Sequence, residues 1–241
     1  MTSVLLNNVD HHDLRVITRG DAALGDGVNQ VMVFPTEFEA IAREFPILLR
    51  PDADGVLRSV ALLGLARGEN LFLDPAKGWT ARTVPALLQR GPFSVAAPDS
   101  TDGEPMILVD PDHPRASRTE GEPVFLPHGG HTRYLDRMTQ LLRAIYLGHR
   151  LLTPMVEAFK AAGLLKPIAL ELAVGEGEVY ALSDAVTIDR EALAALGGEA
   201  LETLHRAGFL QSAVLMAASL GNVQRLVDLK SALKNATKAG G

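Results

Sequence analysis

Residues 134–163 read YLDRMTQLLRAIYLGHRLLTPMVEAFKAAG, and this stretch decides the fold class of the chain. Its apolar side chains recur every three to four residues, which is the spacing that places them on one face of an α-helix. The pattern predicts one long helix, or two helices broken near Gly148. Gly163 is a typical residue just beyond a helix C-terminus.

The chain before this helix has a different residue pattern, in which short apolar runs alternate with Gly- and Pro-containing turns. We expect a mixed or antiparallel sheet from residues 14–126, including a β-hairpin over 46–65 whose turn contains Gly55. After the helix, residues 168–182 are typical of a second short hairpin, and further helices follow. The sequence therefore predicts an α+β protein, with a sheet in the N-terminal two thirds packed against C-terminal helices.

The change of residue pattern near residue 130 suggests a strand-rich subdomain over 1–130 and a mainly helical subdomain over 131–241. We expect the two to form one compact domain. The chain has 241 residues, which is long enough to bury a substantial core. With 47% hydrophobic residues it is too apolar for a disordered protein. The helical segment 209–220 is apolar nearly all round, and we expect it in the core, with a homodimer face as the alternative.

Charge and cysteine content exclude several classes of function. The net charge of −6 argues against a nucleic-acid partner, which usually selects a basic surface. The absence of cysteine removes thiol catalysis, thiolate zinc sites and disulfides. No apolar stretch approaches the ~20 residues of a membrane span, and no secretory signal is visible, so we expect a cytoplasmic protein.

The densest group of charged residues lies in segment 110–123, directly after a predicted strand. Here Arg115 and Arg118 could bind a carboxylate or phosphate, because a guanidinium matches those anions, and Glu120 would complete the site. The alternative is an internal network of ion pairs that braces a long loop.

Histidines near this segment offer a metal site as a second interpretation. His113 and His128, with Asp112 and the more distant His11, could supply ligands to a divalent metal. The H-x-x-H spacing of residues 128–131 is weakly specific, and loop histidines are more often exposed or hydrogen-bonded.

Trp79 is the single tryptophan, and it lies three residues before Arg82. The indole ring could stack on a sugar or peptide, with Arg82 as a cation–π partner. The alternative is an ordinary tryptophan in the core or at its rim. The chain has no G-x-S-x-G nucleophile motif and no phosphate-binding glycine loop.

Nearly the whole chain, from about residue 6 to 233, resembles the SapC family of bacterial proteins. The resemblance rests on these stretches: LNNVDHHDLRV (6–16), NQVMVFPTEF (29–38), FPILLR (45–50), VALLGL (60–65), ENLFLD (69–74), GWTARTVPALLQRGPF (78–93), DHPRASRTEGEPVFLPHGG (112–130) and LHRAGFLQSAVLMAASLGNVQRLVDLK (204–230). It implies a supporting role in the uptake across the outer membrane, or the modification, of a carbohydrate- or peptide-like compound. It implies no catalytic residues.

Two functions of different classes follow. The first is an accessory protein that binds a small anionic ligand or a partner protein through Arg115, Arg118 and Glu120, together with Trp79 and Arg82. The second is a metal-dependent enzyme of oxygenase or hydrolase type that uses the histidine and carboxylate residues of segment 110–131.

Overall fold

The computed structural model describes residues 3–96, 106–175 and 177–239. The strands in chain order are β1 (Val4–Leu5), β2 (Arg15–Val16), β3 (Gln30–Met32), β4 (Ile47–Pro51), β5 (Leu57–Leu62), β6 (Leu73–Asp74), β7 (Gly78–Trp79), β8 (Phe93–Ala96), β9 (Met106–Val109), β10 (Ala116–Ser117), β11 (Glu122–Pro123), β12 (Leu165–Val174) and β13 (Glu178–Ile188). The α-helices are α1 (Phe38–Ile41), α2 (Ala86–Gln89), α3 (Arg133–Ala161), α4 (Arg190–Ala194), α5 (Gly198–Arg206), α6 (Leu210–Ser219) and α7 (Val223–Ala239). This content confirms the predicted α+β class.

The main sheet has five strands in the order β12-β13-β4-β5-β3, and every neighbouring pair is antiparallel. The predicted hairpin over 46–65 is confirmed as β4 and β5. Asp52 forms its turn by accepting the backbone N–H groups of Asp54 and Val56 at 3.0 and 2.9 Å. Gly55 supplies the positive φ of 77° that the turn requires.

The second hairpin, β12 and β13, is longer than the predicted range 168–182. It joins the main sheet through β13, where Val186 lies opposite Leu49 of β4. The sheet therefore draws strands from both sides of residue 130. The division into 1–130 and 131–241 stays a prediction from composition, which the strand pairing does not follow.

Three smaller antiparallel groups complete the strands. They have the orders β1-β9-β8, β10-β2-β11 and β6-β7. In the second group, β2 lies between β10 and β11, so that Val16 is opposite both Ala116 and Glu122. Segment 110–123 is thereby folded back onto β2.

The long helix α3 runs without a break from Arg133 to Ala161. Thr132 caps its start by accepting the N–H of Leu135 at 3.2 Å. Gly148 marks a close approach instead of a break, because a Cβ atom there would lie 2.5 Å from the Cβ of Phe34. The glycine lets the helix pack directly on the segment that precedes α1.

Helix α3 connects two hydrophobic cores. The main core surrounds the five-stranded sheet and contains the C-terminal half of α3, with Leu152 and Phe159 fully buried. The small core contains the N-terminal half of α3, with Leu135 and Leu142 packed against Val16 and residues of β8 and β9. Ile145, between the two halves, packs against both cores.

The apolar segment predicted over 209–220 forms α6, which contributes Ala213 and Met216 to the main core. Ser219 at its end accepts the N–H of Ile47 at 2.9 Å and so ties the helix to β4. Within the described ranges, no helix is both long and apolar enough to cross a membrane.

Candidate functional site

A cavity of about 370 Å³ lies where the first turns of α3 face β2, β11 and the region around α2. Its polar and charged lining residues are Thr18, Asp26, Arg82, Gln89, Arg115, Glu122, Tyr134 and Arg137. Its apolar lining includes Val16, Trp79, Val84, Leu88 and Met138. Three residues predicted for ligand binding, Trp79, Arg82 and Arg115, are therefore brought together here.

Arg115 forms the floor of the cavity. The residue is 6% exposed, and one guanidinium nitrogen lies 2.6 Å from a carboxylate oxygen of Asp26. The other terminal nitrogen donates to the carbonyl oxygens of Ile17 and Arg19, both at 2.8 Å. A buried charge needs such partners. The hydrogen bonds of Arg115 therefore hold the loop after β2 in place, and protein atoms already occupy both terminal nitrogens.

Trp79 and Arg82 lie on a segment whose backbone is held in place by Glu44. The buried Glu44 carboxylate accepts the backbone N–H groups of Arg82 and Thr83, both at 2.9 Å. The indole N–H of Trp79 donates to the Thr83 carbonyl at 2.9 Å, and the ring stacks on Phe72. In the part of the chain that the structure describes, no cation lies over the Trp79 ring, so the predicted cation–π pair with Arg82 is absent.

The exposed guanidinium of Arg82 is free for a ligand. Its side chain makes no ion pair or hydrogen bond to any described residue, while its backbone is held by Glu44. Its backbone position is therefore fixed by Glu44, while its guanidinium group can still bind a ligand.

Helix α3 adds two residues that the sequence did not single out. Tyr134 is 4% exposed, and its hydroxyl makes no hydrogen bond to a described residue. Burial raises the pKa of this phenol well above its usual range, so it stays protonated and can donate. Arg137, one turn later, is exposed and has no ion-pair partner among the residues described. On the sequence, both residues look like ordinary positions of an amphipathic helix.

Arg118 and Glu120 lie outside the lining of the cavity. Arg118 pairs with Asp13 and Glu120 pairs with Arg19, and all four side chains are at the surface. Close by, Nε of Arg15 donates to the carbonyl of Gly121 at 3.0 Å. These contacts match the alternative in which the charges of segment 110–123 brace a loop.

The residues predicted as metal ligands are not brought together. Asp112 and His128 are exposed, and His11 contacts the backbone of Asn7. Nδ1 of His113 accepts the backbone N–H of Arg115 at 3.1 Å, and burial lowers the pKa of this imidazole, with a smaller contribution from Arg115. Over the described ranges, no three His, Asp or Glu residues form a group that could hold a metal ion.

The charges of the cavity favour an anion. Arg115 and Asp26 neutralise each other, which leaves the guanidinium groups of Arg82 and Arg137 and the carboxylate of Glu122. The Glu122 side chain is exposed and has no ion-pair partner in the described part of the chain. Two cations and one anion therefore face a partly enclosed space with an apolar wall.

Comparisons with known proteins agree with the resemblance noted from the sequence. The family model described as SapC matches residues 6–226. No curated protein and no solved structure matches the chain. The matched range includes every lining residue of the cavity and both hydrophobic cores up to Leu226. Because the model covers far more than half of the chain, this protein belongs to the SapC family.

Proposed function

We propose that this SapC-family protein is an accessory protein that binds a small anionic ligand in the cavity between α3 and α2. One observation carries the proposal. Arg82, Arg137 and Tyr134 line one cavity, and neither the guanidinium groups nor the hydroxyl has a hydrogen-bond or ion-pair partner among the described residues. Charge-assisted hydrogen bonds from arginine to a carboxylate or phosphate are among the strong polar contacts in proteins.

The predicted binding residues take different roles in this proposal. Arg82 binds the ligand, and Trp79 forms part of the apolar wall. Arg115 supports the floor from its buried pair with Asp26. Arg118 and Glu120 hold the loop that carries Arg115. Arg137 and Tyr134 replace them as ligand contacts.

The family resemblance supplies the context of the proposal. It implies a supporting role in uptake or modification of a carbohydrate- or peptide-like compound, and binding a small molecule suits that role. Of the two functions weighed on the sequence, binding has a cavity with convergent polar groups in its favour. The metal-dependent alternative has no comparable group of ligands in the described ranges.

Isothermal titration calorimetry with 3-phenylpropionate, with L-phenylalanine and with inorganic phosphate, each of which carries a carboxylate or a phosphate group, tests this proposal. We expect at least one probe to bind the native protein, and Arg137→Ala to weaken that binding about tenfold or more, since a hydrogen bond to a charged group contributes about 1.5–3 kcal/mol. Arg143→Ala is the matched control, because Arg143 is exposed on the same helix but outside the cavity. The proposal is wrong if none of the three probes binds, or if Arg137→Ala binds as tightly as the native protein.

A further inference from the structure

Glu122 is the residue of the cavity that a simple anion does not explain. It lies on β11 beside β2, opposite Val16, and it lines the same cavity as Arg82 and Arg137. An uncompensated carboxylate beside a bound anion is unfavourable, because like charges at close range repel. The cavity thus presents an acceptor for a cation as well as donors for an anion.

We infer that the ligand is a zwitterion, an α-amino acid with an apolar side chain, whose carboxylate is bound by Arg82 and Arg137 and whose ammonium group is bound by Glu122. This inference rests on the proposed function and names the class of its ligand. A carboxylate can accept from two guanidinium groups at once, while an ammonium group donates to a carboxylate. The three unpartnered charges of the cavity are then all satisfied.

The remaining lining residues fit the rest of such a molecule. Trp79, Leu88 and Met138 form an apolar wall for its side chain. The protonated phenol of Tyr134 provides a further donor to the carboxylate. The volume of about 370 Å³ is near the lower end of the ~300–1,000 Å³ typical of small-molecule sites, which suits an amino acid.

A phosphate group is a poorer match to this cavity. Phosphate sites commonly use a group of backbone N–H donors in addition to side chains. The backbone N–H groups of Arg82, which lines the cavity, and of the neighbouring Thr83 already bind the carboxylate of Glu44. A phosphate at pH 7 would also bring more negative charge toward Glu122 than a carboxylate does.

Calorimetry with three probes of similar size tests the inference: L-phenylalanine, 3-phenylpropionate and 2-phenylethylamine. All three contain an aromatic ring. L-phenylalanine carries a carboxylate and an ammonium group, 3-phenylpropionate carries only the carboxylate, and 2-phenylethylamine carries only the ammonium group. We expect L-phenylalanine to bind at least about tenfold more tightly than either of the others, since each extra charge-assisted contact contributes about 1.5–3 kcal/mol.

Glu122→Gln should weaken L-phenylalanine about tenfold and leave 3-phenylpropionate unchanged or slightly tighter, because it removes the ammonium partner and the repulsion together. Glu199→Gln is the matched control, since Glu199 is an exposed glutamate outside the cavity. If 3-phenylpropionate binds the native protein as tightly as L-phenylalanine, or if Glu122→Gln does not weaken L-phenylalanine, the zwitterion inference is overturned while anion binding stands. If only inorganic phosphate binds, the zwitterion inference is wrong and anion binding stands; if neither the carboxylate probes nor phosphate binds, both proposals are wrong.

Discussion

At the scale of one residue, the sequence predicts Arg115 to bind a ligand, but its charged side chain instead stabilises the fold. Its guanidinium joins the carboxylate of Asp26 to the carbonyl groups of Ile17 and Arg19. Breaking such a buried pair leaves an uncompensated charge, which costs about 3–5 kcal/mol. We therefore expect Arg115→Ala to lower the free energy of unfolding by several kcal/mol, as measured by urea denaturation.

Arg118→Ala is the matched control for this prediction, because the Arg118–Asp13 pair is at the surface. Exposed pairs contribute about 0–1 kcal/mol, so this variant should unfold nearly as the native protein does. A loss of less than about 1 kcal/mol in Arg115→Ala would contradict the structural role of Arg115.

His113 gives a second prediction at this scale. Burial lowers the pKa of the folded-state imidazole below its ordinary value of 6.5, with Arg115 as a smaller cause. The unfolded chain then binds the proton more readily than the folded chain. The stabilising contribution is fully present above the ordinary pKa and is lost as the pH falls below it, through the lowered folded-state pKa.

His113→Asn removes the titrating group but keeps an acceptor for the Arg115 N–H. We expect it to reduce the loss of unfolding free energy between about pH 7.5 and about pH 5.5, measured in urea at both values. His128→Asn, at an exposed position, controls for the removal of a histidine. An unchanged pH dependence in His113→Asn would show that His113 does not contribute to it.

Helix α3 is the element on which the fold and the candidate site both depend. Its close packing on the segment before α1 requires Gly148, where a Cβ atom would lie 2.5 Å from Phe34 and 2.6 Å from the Thr36 hydroxyl. Thr36 in turn donates to the carbonyl of Ala144 at 3.1 Å. The close packing of the helix on this segment therefore depends on the absence of a side chain at residue 148.

Gly148→Ala should destabilise the protein, although alanine is the better helix former. Overpacking costs about 1–3 kcal/mol, against a gain of about 1 kcal/mol in helix propensity. Gly198→Ala in α5 is the matched control, because no atom lies within 4 Å of the Cβ it would add. Urea denaturation of both variants checks this, and a stabilised Gly148→Ala would contradict the close contact.

At the scale of the whole molecule, α3 joins the main core to the small core. We expect the two cores to unfold together, since each needs one half of the same helix. Leu142→Ala, in the small core, should lower the unfolding free energy by about 2–5 kcal/mol. Trp79 packs against the main core, so its fluorescence reports on the unfolding of that core.

Urea unfolding of Leu142→Ala is monitored by Trp79 fluorescence and, separately, by circular dichroism, and each probe gives a midpoint. Both midpoints should shift equally, and Leu152→Ala in the main core provides the matched comparison. A fluorescence midpoint that does not move in Leu142→Ala would show two independently unfolding units.

The sequence by itself determined the α+β class, the 46–65 hairpin, the long helix and the family, because these follow from local periodicity, turn residues and characteristic stretches. Only the tertiary structure decided which charges are free. Arg115 and Arg118 look alike in the sequence, yet one is buried against Asp26 and the other pairs at the surface. Arg137 and Glu122 look like solvated residues, and only the fold places them in the lining of the same cavity as Arg82. Which polar groups keep a partner depends on contacts between segments far apart in the chain, and local sequence patterns do not encode those contacts.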